Sequence, residues 1–310
     1  MPPKRRKVAD LTDAPEQKRR VTRSSSKPSA PTKAATTPKP AKTSAKASNS
    51  AKSSSSKAKP VRASNEVATK DAPATPDVLG SNPLTIHPAS AKKPIECYSY
   101  QPTTPYAPFP NLIFTHGAGG TLSAPAVVNF CTGYGASAPV LAFQGSMNLT
   151  ARVKNFGALT EHYNPETRTG RLIVGGRSMG ARAAAMLWSD FISKRKDAES
   201  IDVSFILVSY PLKGPKGDIR DQILLDLPHH ANVLFVIGEK DAMCPLDMLS
   251  SVRRRMSASS QLIVVRGADH GMHVKPAEAE KRFGEETGRL AAAWANGGMK
   301  EHEVYIGDEA

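Results

Sequence analysis

Aromatic side chains make up only 6% of this 310-residue chain, and cysteine occurs just three times. Cys97, Cys131 and Cys244 are an odd number without metal-type spacing. A disulfide framework and a structural zinc site are therefore not expected, and free thiols in a reducing compartment are. Long hydrophobic runs are missing too: runs such as 203–208 and 233–237 have the length of strands and fall far short of a bilayer span. No apolar stretch follows the opening Met-Pro-Pro-Lys-Arg-Arg-Lys, so neither a secretory signal nor a membrane role is expected.

Acidic residues are scarce in one part only. Residues 1–80 hold 18 Lys+Arg against 6 Asp+Glu, a net charge of +12, whereas residues 81–310 hold 24 against 22, a net of +2. Nearly all of the +14 thus belongs to a segment of Lys, Ser, Ala, Thr and Pro. With almost no aromatic or large aliphatic side chains, such a segment cannot offset the entropy of ordering, and residues 1–80 read as a disordered tail ahead of one domain at 81–310. Within the tail, Lys4, Arg5, Arg6 and Lys7 form one basic cluster and Lys18, Arg19 and Arg20 a second. Two clusters at this separation suit the two acidic pockets of a nuclear import receptor, which makes residues 4–20 the expected contact. The expected location is the nucleus, with the cytoplasm second, and deletion of residues 1–20 tests it. The spaced lysines from Lys27 to Lys59 would support weak, salt-sensitive contact with nucleic acid or chromatin, or serve only as a linker.

From about Leu84 the pattern changes to alternating apolar runs and helical spacings. Residues 83–87 and 95–100 read as an antiparallel edge pair, and 111–114, 139–143, 172–174, 203–208, 233–237 and 261–265 as buried strands. Helices are expected at 124–131, 148–163 and after Gly180, with a closing helix at 275–296 and a loosely held acidic end at 297–310. The connection at 213–232 is too short for a cap domain, which favours small substrates or groups displayed on a larger molecule.

The chain is organised around the stretch in which the strand at 172–174 gives way to a helix through Gly175, Gly176, Arg177, Ser178, Met179 and Gly180. Gly-x-Ser-x-Gly between strand and helix is the context of a nucleophile elbow, where the turn holds serine at strained angles and bulky neighbours would collide. Two strand ends further on stand Asp241, after Gly238, and His270, before Gly271. The order Ser178, Asp241, His270, each past the carboxyl end of a different strand, is that of the α/β-hydrolase fold, expected here as a mostly parallel central sheet with helices on both faces. His270 would take the serine proton, and Asp241 would hold its tautomer. Glu239 and Asp269 are rivals for the acid, and His273 for the base. The glycine-rich run Gly117, Ala118, Gly119, Gly120 suits an oxyanion site, with the N–H of Ala118 and of Met179 as donors. His116 would pin that loop or act directly. Arg177 would bind an acidic substrate group or pair with a neighbouring loop. His229 and His230 lack the carboxylate or cysteine partners of a metal site, and no cofactor is expected.

The run from Phe114 to Gly120, the segment from Phe143 to Asn148 with Arg152 to Phe156, and the elbow with Ala181 and Arg182 together resemble the α/β-hydrolase-like domain shared by testis-expressed protein thirty and the third subunit of the non-specific-lethal histone acetyltransferase complex. That resemblance spans about residues 84–294. It implies a single hydrolase-like domain with a Ser-Asp-His set, and some members act in chromatin complexes. The expected activity is that of a serine hydrolase on a small acyl or ester substrate. The alternative is a non-catalytic scaffold subunit of a nuclear complex.

Overall fold

A computed structural model describes residues 81–102, 109–163, 171–196 and 198–307. The tail, the import clusters and the last three residues lie outside the described residues. Short runs rich in Val, Ile, Leu and Phe, too short for helices and bounded by Gly, Pro and Ser, form the strands. These are β1 (Ser81–Ile86), β2 (Ile95–Tyr100), β3 (Leu112–Thr115), β4 (Val140–Phe143), β5 (Leu172–Arg177), β6 (Val203–Val208), β7 (Asn232–Gly238), β8 (Ser259–Val265) and β9 (Glu303–Ile306). They make one sheet in the order β1-β2-β4-β3-β5-β6-β7-β8-β9. β1, β2 and β4 pair antiparallel, and the rest of the sheet is parallel.

Successive side chains of a strand point to opposite faces, and the two faces of this sheet collect different helices. One face takes Leu172, Val174, Phe205 and Leu207 together with α2 (Leu149–His162), α3 (Met179–Asp190) and α5 (Leu246–Arg253). The other takes Ile173, Ile206 and Val208 together with α1 (Pro125–Gly135) and α6 (Glu278–Ala295). α1 and α6 cross closely enough that their glycines are steric necessities. A Cβ on Gly133 would collide with the main chain of Glu285, and one on Gly288 with the main chain at Phe130 and Tyr134.

Two expectations are corrected, and one element not expected is found. β5 does not stop at Val174 but runs through Gly175 and Gly176 to Arg177. Glycine is a weak strand former, yet here the space is the reason for it: a Cβ on Gly175 would lie 2.6 Å from the Ile206 carbonyl oxygen on the adjacent strand. The C-terminal stretch is not loose throughout, since β9 adds a parallel strand to β8, with Ile306 buried. The polar residues Glu301, His302 and Glu303, the last of them its own first residue, hide the two-residue alternation. Between Asp241 and β8 there is also α5, eight residues introduced by Pro245, which is too short for helical spacing to stand out. The β6–β7 connection carries only a bridge between Lys213 and Ile219 and the single turn α4 (Gln222–Leu225).

Candidate active site

At the carboxyl end of β5 the chain turns sharply into α3, and Ser178 occupies the turn at φ 52°, ψ −112°. Positive φ in a non-glycine residue costs on the order of 1–3 kcal/mol, so neighbouring packing must impose it. That packing is visible. Gly176 and Gly180 face each other across the turn, and a Cβ on Gly176 would come within 2.5 Å of the Gly180 main chain. A Cβ on Gly180 would approach the carbonyl oxygens of Thr115 and His116 to 2.6 and 2.7 Å. The Ser178 N–H donates to the Val208 carbonyl at 2.9 Å, which ties the elbow to β6.

The other two members of the set arrive on the turns after β7 and β8. Gly238 lets these turns meet, because a Cβ there would lie 2.5 Å from the Ala268 carbonyl oxygen. The Lys240 N–H then donates to that same carbonyl at 2.8 Å. In the result, Ser178 Oγ lies 2.9 Å from His270 Nε2, and His270 Nδ1 lies 2.9 Å from both carboxylate oxygens of Asp241. Asp241 Oδ1 also accepts the Met243 N–H at 2.8 Å. The Asp241 side chain is fully buried, while the imidazole is 24% exposed. The assembly is closed at the acid and open toward the hydroxyl.

The rivals stand elsewhere. Glu239 accepts the Gly267 N–H at 2.8 Å, and Asp269 Oδ1 accepts the N–H groups of Gly271 and His273 at 2.7 and 3.0 Å, so both shape turns. His273 is largely exposed and pairs with Glu280 at 3.0 Å. Arg177 turns to a neighbouring loop: its Nη2 donates to the His270 carbonyl at 2.7 Å. Burial pulls its guanidinium below the ordinary arginine range, and the nearby carboxylates of Asp241 and Asp269 act in the opposite direction.

The glycine loop after β3 abuts Ser178, since a Cβ on Gly117 would sit 3.3 Å from Ser178 Cβ. His116 pins this loop. The Gly145 N–H donates to His116 Nε2 at 3.0 Å, so that nitrogen carries no proton, and Nδ1 donates to the Gly117 carbonyl at 2.7 Å. Gln144 Nε2 meets the same His116 Nε2 at 2.8 Å. Burial and the nearby Arg152 cation lower the His116 pKa to about 4. Between about pH 6.5 and 4 the unfolded chain therefore binds a proton that the folded chain refuses. The stability this imidazole contributes is complete above 6.5 and declines by about 3 kcal/mol as the pH falls to 4. Urea unfolding midpoints at pH 7 and 4.5 should fall less for His116→Gln than for the unaltered chain. An equal fall would remove His116 as the cause.

Arg152 is the site residue that patterning missed. It is 0% exposed, and its guanidinium meets only main-chain carbonyls among the described residues. The available signal was its place on α2: with Phe156 at i+4 and Leu159 at i+7, it falls on the buried face.

A parallel sheet with a strained serine after β5, an acid after β7 and a histidine after β8 is the arrangement of an α/β hydrolase. The chain belongs to that family, with residues 109–295 matching the alpha/beta hydrolase domain. Among solved structures, it is similar to an alpha-beta serine hydrolase homologue from Coxiella burnetii, at 15% identity and a TM-score of 0.51, covering 69% of this chain and 98% of that one. Est1E from Butyrivibrio proteoclasticus matches at 12% identity and a TM-score of 0.52, covering 69% and 99%. A dienelactone hydrolase from Anabaena variabilis matches at 14% and 0.51, covering 69% and 96%. Likeness at this level of identity establishes a common fold.

Proposed function

We propose that the protein is a serine hydrolase of ester or thioester type, with Ser178 as nucleophile, His270 as general base and acid, and Asp241 as the group that orients the imidazole. The observation that carries this reading is the continuous relay of 2.9 Å contacts from Ser178 Oγ through His270 to Asp241. In the reaction, His270 Nε2 takes the hydroxyl proton as Oγ bonds to the acyl carbon, and the negative charge moves onto the carbonyl oxygen. The bond to the leaving oxygen or sulfur breaks as His270 returns the proton to it. Water then attacks the acyl-serine, His270 takes its proton, and Oγ leaves with that proton to free the acid.

The N–H groups of Ala118 and Met179 would receive the oxyanion. Neither has a main-chain partner among the described residues, and Met179 is the first residue of α3, where the helix dipole favours negative charge. With no cap over the β6–β7 side, a short acyl group or one displayed on a larger molecule suits the open site. Within the family, the motifs around Phe114, Arg152 and Ser178 favour kinship with the chromatin-associated hydrolase-like domains.

A fluorophosphonate probe is expected to label the protein covalently, and Ser178→Ala is expected to abolish labelling. Short p-nitrophenyl esters should then rank the acyl chain length. A folded protein that resists the probe would instead favour the scaffold reading.

A further inference from the structure

We infer that Arg152 is a positioning residue for the oxyanion site, holding the peptide that carries the Ala118 N–H and placing a fixed cation behind it. The inference rests on the serine-hydrolase reading above and deepens it.

A buried guanidinium is expensive to desolvate, and proteins ordinarily pair it with a carboxylate. Arg152 does neither of the usual things. It is among the largest fully buried side chains, and no carboxylate pairs with it among the described residues. Its donors go instead to two loops. Nη1 donates to the carbonyls of His116 and Gly117, the second at 3.5 Å. Nη2 donates to the carbonyls of Gly145 and Ser146 at 3.2 and 2.8 Å, and Nε to Ser146 at 3.0 Å. Burial lowers its pKa to about 10, so it is still a cation at neutral pH.

The two loops meet where the chemistry needs order. In a trans peptide the C=O and N–H point in opposite directions. The Gly117 carbonyl is held by His116 Nδ1 and by Arg152, so the N–H of Ala118, on the same peptide, is directed away from both. Glycine alone would leave that peptide free to rotate; His116 Nδ1 holds its carbonyl directly, and Arg152 fixes it further from the same carbonyl and from that of His116. Gly145 adds a constraint, because a Cβ there would lie 2.5 Å from Arg152 Nε. The same cation, itself fully buried, lies one peptide behind the site where negative charge develops.

The test uses the full chain, first shown to label at Ser178, so that failure of the serine-hydrolase reading is seen before Arg152 is touched. Arg152→Lys keeps the charge and loses the fork, while Arg152→Met loses both. With p-nitrophenyl acetate, Arg152→Met is expected to lower kcat by about 100- to 1000-fold with KM changed less than threefold. Affinity for phenylboronic acid, which becomes a tetrahedral anion on serine, should fall in parallel. Arg152→Lys should recover about tenfold of the loss. Folded variants with kcat and boronate affinity within threefold of the unaltered chain would overturn the inference. So would failure of both variants to fold, which would make Arg152 a requirement of the fold instead.

Discussion

Asp241→Asn is expected to slow ester turnover and probe labelling by about 10⁴-fold while leaving the protein folded. The reason lies in how the carboxylate is shared. Oδ1 accepts the Met243 N–H at 2.8 Å, and both oxygens face His270 Nδ1 at 2.9 Å. An asparagine in this place keeps its oxygen toward Met243 and turns its NH₂ toward the imidazole. His270 Nδ1 must then accept, the ring proton moves to Nε2, and Nε2 can no longer take a proton from Ser178. The amide has the size of the carboxylate, so packing around the buried side chain is retained. Circular dichroism should therefore match the unaltered chain while the rate collapses. A rate within tenfold would mean that Asp241 does not set the tautomer.

Gly133→Ala is expected to destabilise the domain by at least about 2 kcal/mol, against what helix propensity alone would say. Alanine gains roughly 1 kcal/mol over glycine within a helix, but forcing extra volume into a closed contact costs about 1–3 kcal/mol and sometimes more. At this position the added methyl would collide with the carbonyl oxygen of Glu285, a main-chain atom that cannot swing aside. The helices must separate, and the layer of Phe130, Tyr134, Ala291 and Ala292 between them and the sheet opens with them. The upper end of the packing range wins. Thermal unfolding should drop by roughly 4–8 °C for a domain of this size. Shortening the side chain at Glu285 should give no rescue, since the obstacle is backbone. A rise in unfolding temperature would show that the crossing is looser than described.

The strands were legible because buried parallel strands are continuous apolar runs, and this sheet is buried on both faces. The elbow was legible because its glycines are dictated by distance: Gly176 and Gly180 touch, and only hydrogen fits between them. From Ser178 the positions of Asp241 and His270 follow by chain order and by the turns that succeed each strand. What escaped was of another kind. β9 is a four-residue edge strand whose Tyr305 is 48% exposed, so alternation has almost nothing to read. Arg152 escaped because arginine is assigned to solvent by default, and only its carbonyl partners, 6 to 36 residues away, reverse that assignment. Arg177 sits beside Ser178, yet sequence could not choose between substrate and loop, because the choice depends on where the turn after β8 brings the His270 carbonyl.

The partner of the hydroxyl lies 92 residues downstream of it. On a ribosome that separation is on the order of 5–20 s of elongation, during which the serine exists and the imidazole does not. Every nascent chain thus carries the elbow before its partner, and the contact between hydroxyl and imidazole forms late, when the turn after β8 settles against the turn after β7.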